Sequence, residues 1–150
     1  MKKIYLDTCC YNRIFDDASH PTIHYEREII LGILELAHAG KVELLGSDIL
    51  EKELSDITDI EKKEQIDLLY KCCNDKIKFN ESIIERAEYI CENSNIHHKD
   101  SLHLACAEAG NVDTLITVDK KFLNNAVRLP AKINVCNPDT WIREVVSYHV

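Results

Sequence analysis

A three-layer α/β domain, with a mainly parallel central sheet covered by helices on both faces, is predicted by three observations. Short runs of strand formers alternate with stretches that carry apolar residues at helical spacing. Tight hairpin signals are scarce, in keeping with only four Gly and three Pro. No internal repeat, low-complexity tract or linker-like cluster interrupts the sequence, so one domain is expected over residues 1–150.

Lys3-Ile-Tyr-Leu-Asp7 is a strand that stops at an acid, and a loop is expected after it. Ser19-His-Pro-Thr then opens a long helix with Ile29, Ile30, Ile33, Leu34, Leu36 and Ala37 inward, and Gly40 is its natural stop. Lys41–Leu45 reads as a second strand, Ser47 or Asp48 as a cap, and Ile49, Leu50 and Leu54 as the inner face of a short helix. A helix with alternating charges is expected from about Ile60 to Cys73 and a brief strand over Lys76–Phe79. Ser82–Cys91 places Ile83, Ile84, Ala87 and Ile90 on one helical face. His97-His-Lys-Asp100 leads into another helix that ends at Gly110. Val112–Val118 is the most strand-like segment; Asp119, a short helix, the strand Lys132–Val135 and a helix opened by Pro138-Asp-Thr follow.

Composition narrows the function. A net charge of −8 argues against binding nucleic acid through bulk positive charge, while leaving room for a local basic rim. The longest apolar runs, such as Ile29–Leu34, are far too short to span a membrane. Seven Cys form no C-x-x-C pair, and Met1-Lys-Lys opens directly onto a short apolar run, so reduced thiols and a cytoplasmic location are expected.

In an open parallel sheet, ligands bind beyond the carboxyl ends of the strands. Asp7 and Asp119 fall there, whereas Asp113 opens its strand and is discounted. Glu53 and Asp100 lie near helix starts that can face the same edge. Each has a plainer reading: Asp100 as a partner of its helix dipole, Glu53 on a solvated face, Asp119 as a cap. Asp7 differs, because an acid closing a buried strand is costly unless it is paired or bound to metal. Four gathered carboxylates repel one another until a hard divalent cation, Mg²⁺ or Mn²⁺, sits among them, which suits phosphodiester hydrolysis.

The fragments Ile4-Tyr-Leu-Asp-Thr8, Ser47 with Glu53-Leu54, Lys99-Asp-Ser-Leu-His-Leu-Ala105 and Leu115-Ile-Thr-Val-Asp-Lys-Lys-Phe122 resemble, in order and spacing, PIN-domain ribonucleases and especially VapC-like toxins of toxin–antitoxin pairs. The resemblance covers nearly the full length. It implies a PIN-like α/β/α fold, with Asp7, Glu53, Asp100 and Asp119 as the catalytic metal site and Thr8 or Thr117 as hydroxyl neighbours. It further implies RNA as substrate, 5′-phosphate and 3′-hydroxyl products, an antitoxin partner and a homodimer. The chain departs from the family at Cys9, where Asn or Ser is common. A soft thiol suits Mg²⁺ poorly, so Cys9 is expected to pack, with Asn12 supplying the polar contact and Arg13 a phosphate contact. Lys99, Lys120 and Lys121 flank the acids and supply the expected basic rim.

Other chemistries fit less well. His98 and His103 are five residues apart, the wrong spacing for two zinc ligands on one helix face. There is no G-x-S-x-G elbow and no glycine-rich phosphate loop. A haloacid-dehalogenase-like phosphatase requires a second Asp where Cys9 stands. A PIN-like domain that binds RNA or protein without catalysis is the remaining alternative.

Overall fold

The computed structural model describes the backbone of residues 1–149 and side chains through residue 145. The strands are β1 (Lys3–Leu6), β2 (Glu43–Ser47), β3 (Asp75–Ile77), β4 (Thr114–Ile116) and β5 (Asn134–Cys136). They form one sheet in the order β3-β2-β1-β4-β5 with every neighbouring pair parallel. The helices are α1 (Thr8–Arg13), α2 (Pro21–His38), α3 (Asp48–Ser55), α4 (Ile60–Tyr70), α5 (Glu81–Glu92), α6 (His98–Ala109), α7 (Lys120–Ala126) and α8 (Pro138–His149).

Side chains alternate across the sheet, as the strand period demands. Ile4, Leu6, Leu44 and Ile116 point to one core, which also holds Ile30, Ile33, Leu50, Ile66 and Trp141 and lies under α1, α2, α4 and α8. Tyr5, Leu45 and Leu115 point to the other, with Ile83, Ile90, Leu104 and Phe122 from α5, α6 and α7. Among the described residues no helix is long and apolar enough to cross a membrane.

The local signals act as expected at several ends. Pro21 opens α2, and Gly40 follows its end with φ +72°, a conformation that glycine adopts without strain. Asn80, not singled out from the sequence, caps α5 by accepting from Ile83 N at 2.8 Å and starts the helix one residue before the expected Ser82. Gly46 is needed for a different reason: a Cβ there would lie 2.1 Å from Tyr70 Oη, so only glycine lets α4 close onto β2.

Six further elements differ from the sequence reading. The stretch after Asp7 is helical rather than a loop. It is only six residues long, too short for a visible apolar period, and it forms because Asp7 caps it and Cys10 and Tyr11 sink into the core. α4 stops at Tyr70 because the chain must turn for Asn74 Oδ1 to accept from Leu44 N at 2.8 Å. β4 is shorter than Val112–Val118, since Asp113 turns its carboxylate onto Lys3 N and Thr117 turns its hydroxyl toward Asp7. β2, β3 and β5 are each displaced by one or two residues from the predicted runs, as is usual where flanking residues share the same propensity.

Candidate active site

The sheet order sets the site. β1 is central; β2 and β3 extend to one side and β4 and β5 to the other. The order in which strands are added to the sheet reverses between β1 and β4, and the crevice at their carboxyl ends is where such folds place ligands. Asp7 leaves β1 there, and Thr117 to Asp119 leave β4 there. α3 descends from the carboxyl end of β2 carrying Glu53, and α6 begins at the same edge with Asp100 in its first turn.

Asp7 is 4% exposed and fully partnered. Its Oδ1 accepts from Thr8 N at 2.8 Å as the cap of α1, and its Oδ2 accepts from Thr117 Oγ1 at 2.9 Å and from Cys9 Sγ at 3.3 Å. The Thr117 hydroxyl also accepts from Asp119 N at 3.1 Å, so one hydroxyl ties the two strand ends together. Asp119 caps α7 through Oδ1, 3.1 Å from Phe122 N. The capping role of Asp119 and its place at the crevice therefore hold together. Glu53 Oε1 accepts from Thr8 Oγ1 at 3.0 Å and contacts His103 Nε2.

Asp100 carries the electrostatic signature of the site. Burial, then the negative charges of Asp7, Asp119 and Glu53, push its carboxyl up to about 7, with His103 working against them. Burial also works against ionised Glu53, yet its hydrogen bond and charge pairing with His103, helped by Thr8 and Lys99, hold it below the usual carboxylate range. For His103 burial disfavours the cation, but Glu53, Asp7 and Asp100 prevail and raise the imidazole.

Glu53, Asp100 and Asp119 line a cleft of about 330 Å³ together with Asn95, His97, Lys99, Lys121 and Phe122. Lys120 is outside this lining. Arg13 lies 3.4 Å from Asp16 and 3.6 Å from Glu26, so its charge is engaged within the protein. Asn12 Oδ1 is buried without a hydrogen-bond partner, and the polar contact to Asp7 comes from Cys9 itself. Asp113 sits at the opposite edge, accepting from Lys3 N at 2.7 Å.

Three side chains of this cluster were not singled out as site residues from the sequence. His103 is 1% exposed and lies among Asp7, Glu53 and Thr8, and its Nδ1 is 2.6 Å from the hydroxyl of buried Tyr5. Tyr5 is in turn 2.6 Å from Ser47 Oγ, which caps α3. The available signal was positional: His103 follows Asp100 by three residues, and i,i+3 neighbours share a helix face. His97 and His98 are exposed and stay apart from it.

No family model and no curated protein matches the sequence. Solved structures do match in shape. A chain of VapBC2 from Rickettsia felis, determined bound to a DNA fragment from its promoter, superposes with a TM-score of 0.64 at 20% identity, covering 90% of this chain and 98% of that one. A chain of a toxin–antitoxin complex from Klebsiella pneumoniae gives 0.59 at 19% identity, covering 90% and 97%. The chain has a PIN-like fold. The crevice of this PIN-like sheet, rather than its larger apolar grooves between α2 and α8, is where the acids gather.

The acidic crevice suits a divalent cation by the chemistry of its donors. Carboxylate oxygens are the ligands that Mg²⁺ and Mn²⁺ prefer, and a cation among them offsets the repulsion that, after burial, raises Asp100. Among the described residues no three His, Cys, Asp or Glu side chains are already drawn together as a coordination sphere. The residues fit such an ion in kind and in place, and its arrival requires side-chain adjustment.

Proposed function

We propose that this chain, as a single PIN domain over residues 1–150, is a divalent-metal-dependent endoribonuclease and acts as a toxin restrained by an antitoxin. One observation carries the reading. Asp100 is pushed up to about 7 by burial and by Asp7, Asp119 and Glu53, the mark of carboxylates gathered at a ligand-binding sheet edge.

Asp7, Glu53, Asp100 and Asp119 would hold Mg²⁺ or Mn²⁺. When bound, the ion supplies an activated water and offsets charge on the phosphate and the leaving oxygen. Thr8 and Thr117 orient Glu53 and Asp7 through hydroxyl hydrogen bonds. Lys99 and Lys121, at the rim of the cleft, meet the RNA backbone where the acids alone would repel it. Lys120, and Arg13 once RNA competes for it with Glu26, extend that contact. The toxin role and the antitoxin rest on the family resemblance and on the two structural neighbours, both solved as toxin–antitoxin assemblies, while a homodimer rests on the resemblance alone.

The test is cleavage of a mixed RNA pool by the wild type and by Asp100→Asn, each with Mn²⁺, with Mg²⁺ and with chelator. Cleavage that needs metal and disappears in the variant is expected. Cleavage that persists in chelator, or in Asp100→Asn, would refute the acidic-site reading.

A further inference from the structure

We infer that His103 is a nitrogen ligand of the ion held by the acidic crevice, making a mixed nitrogen–oxygen site that favours Mn²⁺ over Mg²⁺; the inference rests on the metal-dependent reading proposed above. His103 is 1% exposed and is fixed from behind. Its Nδ1 is 2.6 Å from Tyr5 Oη, Tyr5 Oη is 2.6 Å from Ser47 Oγ, and Ser47 Oγ accepts from Leu50 N at 3.1 Å. When Nδ1–H donates to Tyr5, Tyr5 donates on to Ser47, and the hydrogen bonds run away from the crevice into the cap of α3.

Nε2 lies on the side of the carboxylates, and in the metal-free chain its N–H donates to Glu53 Oε1. Glu53 Oε1 touches it, Thr8 Oγ1 is 3.2 Å away and Asp7 Oδ1 is 3.6 Å away. An ion bound by Nε2 takes the place of its proton, which leaves as the metal enters among the carboxylates. Ligating histidines are characteristically held this way, with the second ring nitrogen hydrogen-bonded behind them. Glu53 and Nε2 are in direct contact in the metal-free chain, which is why no ready sphere exists; entry of the ion must part them. Glu53 is the partner able to withdraw, being a partly exposed side chain with three rotatable bonds, whereas His103 is enclosed and tethered.

The identity of the ion follows from the donors. Carboxylates alone suit Mg²⁺, while an imidazole raises affinity for transition ions. The remaining ligands are hard oxygens, so Mn²⁺ matches the combined set better than a thiol-seeking or tetrahedral ion does.

The experiment is Mn²⁺ titration of the full chain with pulsed electron paramagnetic resonance, reading nitrogen-14 coupling at the bound ion, beside Mn²⁺ and Mg²⁺ affinities. Wild type is compared with His103→Gln, Tyr5→Phe, Asp7→Asn and a His97→Gln/His98→Gln double variant, each checked for native circular dichroism. Expected are nitrogen coupling in wild type and in the double variant, its loss in His103→Gln, and weaker Mn²⁺ binding by about 10–100-fold there with Mg²⁺ altered far less. Tyr5→Phe keeps the coupling and binds Mn²⁺ about 10-fold more weakly, a positioning effect through His103. Bound Mn²⁺ without nitrogen coupling in wild type, or coupling that survives in His103→Gln, overturns the inference but leaves the acidic site standing. Wild type that binds no Mn²⁺, or binds it as well in Asp7→Asn, overturns the acidic-site reading and the inference with it. Should His103→Gln not fold, coupling lost in the double variant overturns the inference and coupling kept there supports it.

Discussion

Replacing Asp100 by Asn makes the metal-free protein more stable at high pH and changes it little at low pH. The carboxyl is raised from its ordinary 3.8 to about 7, so the folded state holds this proton where the unfolded chain releases it. Stability is therefore lost as pH rises from about 4 toward 7, and the loss is complete above the folded value. Between pH 5 and pH 8 about two units of this difference apply, or roughly 3 kcal/mol at about 1.4 kcal/mol per unit. Asp100 is partly exposed at the cleft wall, and solvent screening reduces this to about 1.5 kcal/mol. For a chain of this length that is roughly 3–6 °C in melting temperature. The assay is thermal unfolding of both proteins in chelator at pH 5 and at pH 8. The reasoning is refuted if the gap between variant and wild type fails to widen with pH, or if the variant is the less stable protein at pH 8. Added Mn²⁺ should reverse the order at pH 8, because the ion stabilises only the folded chain that keeps its ligand.

Asp7→Asn and Asp119→Asn should each abolish metal-dependent RNA cleavage, measured on the same pool, while Asp113→Asn leaves it intact because Asn still accepts from Lys3 N at the far edge. Lys99→Ala and Lys121→Ala should each lower the salt dependence of RNA binding by about one ion in a log–log plot, with binding measured by fluorescence anisotropy. Gly46→Ala should cost about 2–3 kcal/mol in denaturant unfolding, because the new Cβ meets Tyr70 Oη at 2.1 Å; Tyr70→Leu should recover part of that loss in the double variant. Arg86→Met should cost about 2–3 kcal/mol, since Glu108, 8% exposed, loses both guanidinium bonds, and amide exchange at Lys132, whose N–H donates to Glu108, should quicken.

Local signals made most of the architecture legible. Pro21, Gly40 and Gly110 mark helix ends that are visible one turn at a time, and the strand runs alternate with apolar helical faces as a parallel sheet requires. Asp7, Glu53, Asp100 and Asp119 were recognisable as candidates because each follows a strand or opens a helix at one predicted edge. What was not legible depends on neighbours far apart in the chain. The short helix α1 has no period of its own and forms through capping and burial. Arg13, read from sequence as a phosphate contact, meets Asp16 and Glu26, and Glu26 is brought to it only by the packing of α2 on α1.

By itself the sequence determined which segments become strands and helices, α1 apart, and therefore at which edge of the sheet the acids stand, because periodicity and capping act over a few residues. The tertiary structure alone decided that β4 lies beside β1, which sets Thr117 against Asp7 across 110 residues of chain and His103 against Glu53 across 50. Charge crowding, burial and shared protons depend on those spatial separations. Asp100 at about 7 and the Ser47–Tyr5–His103 chain are thus products of the fold, which no single segment of the sequence contains.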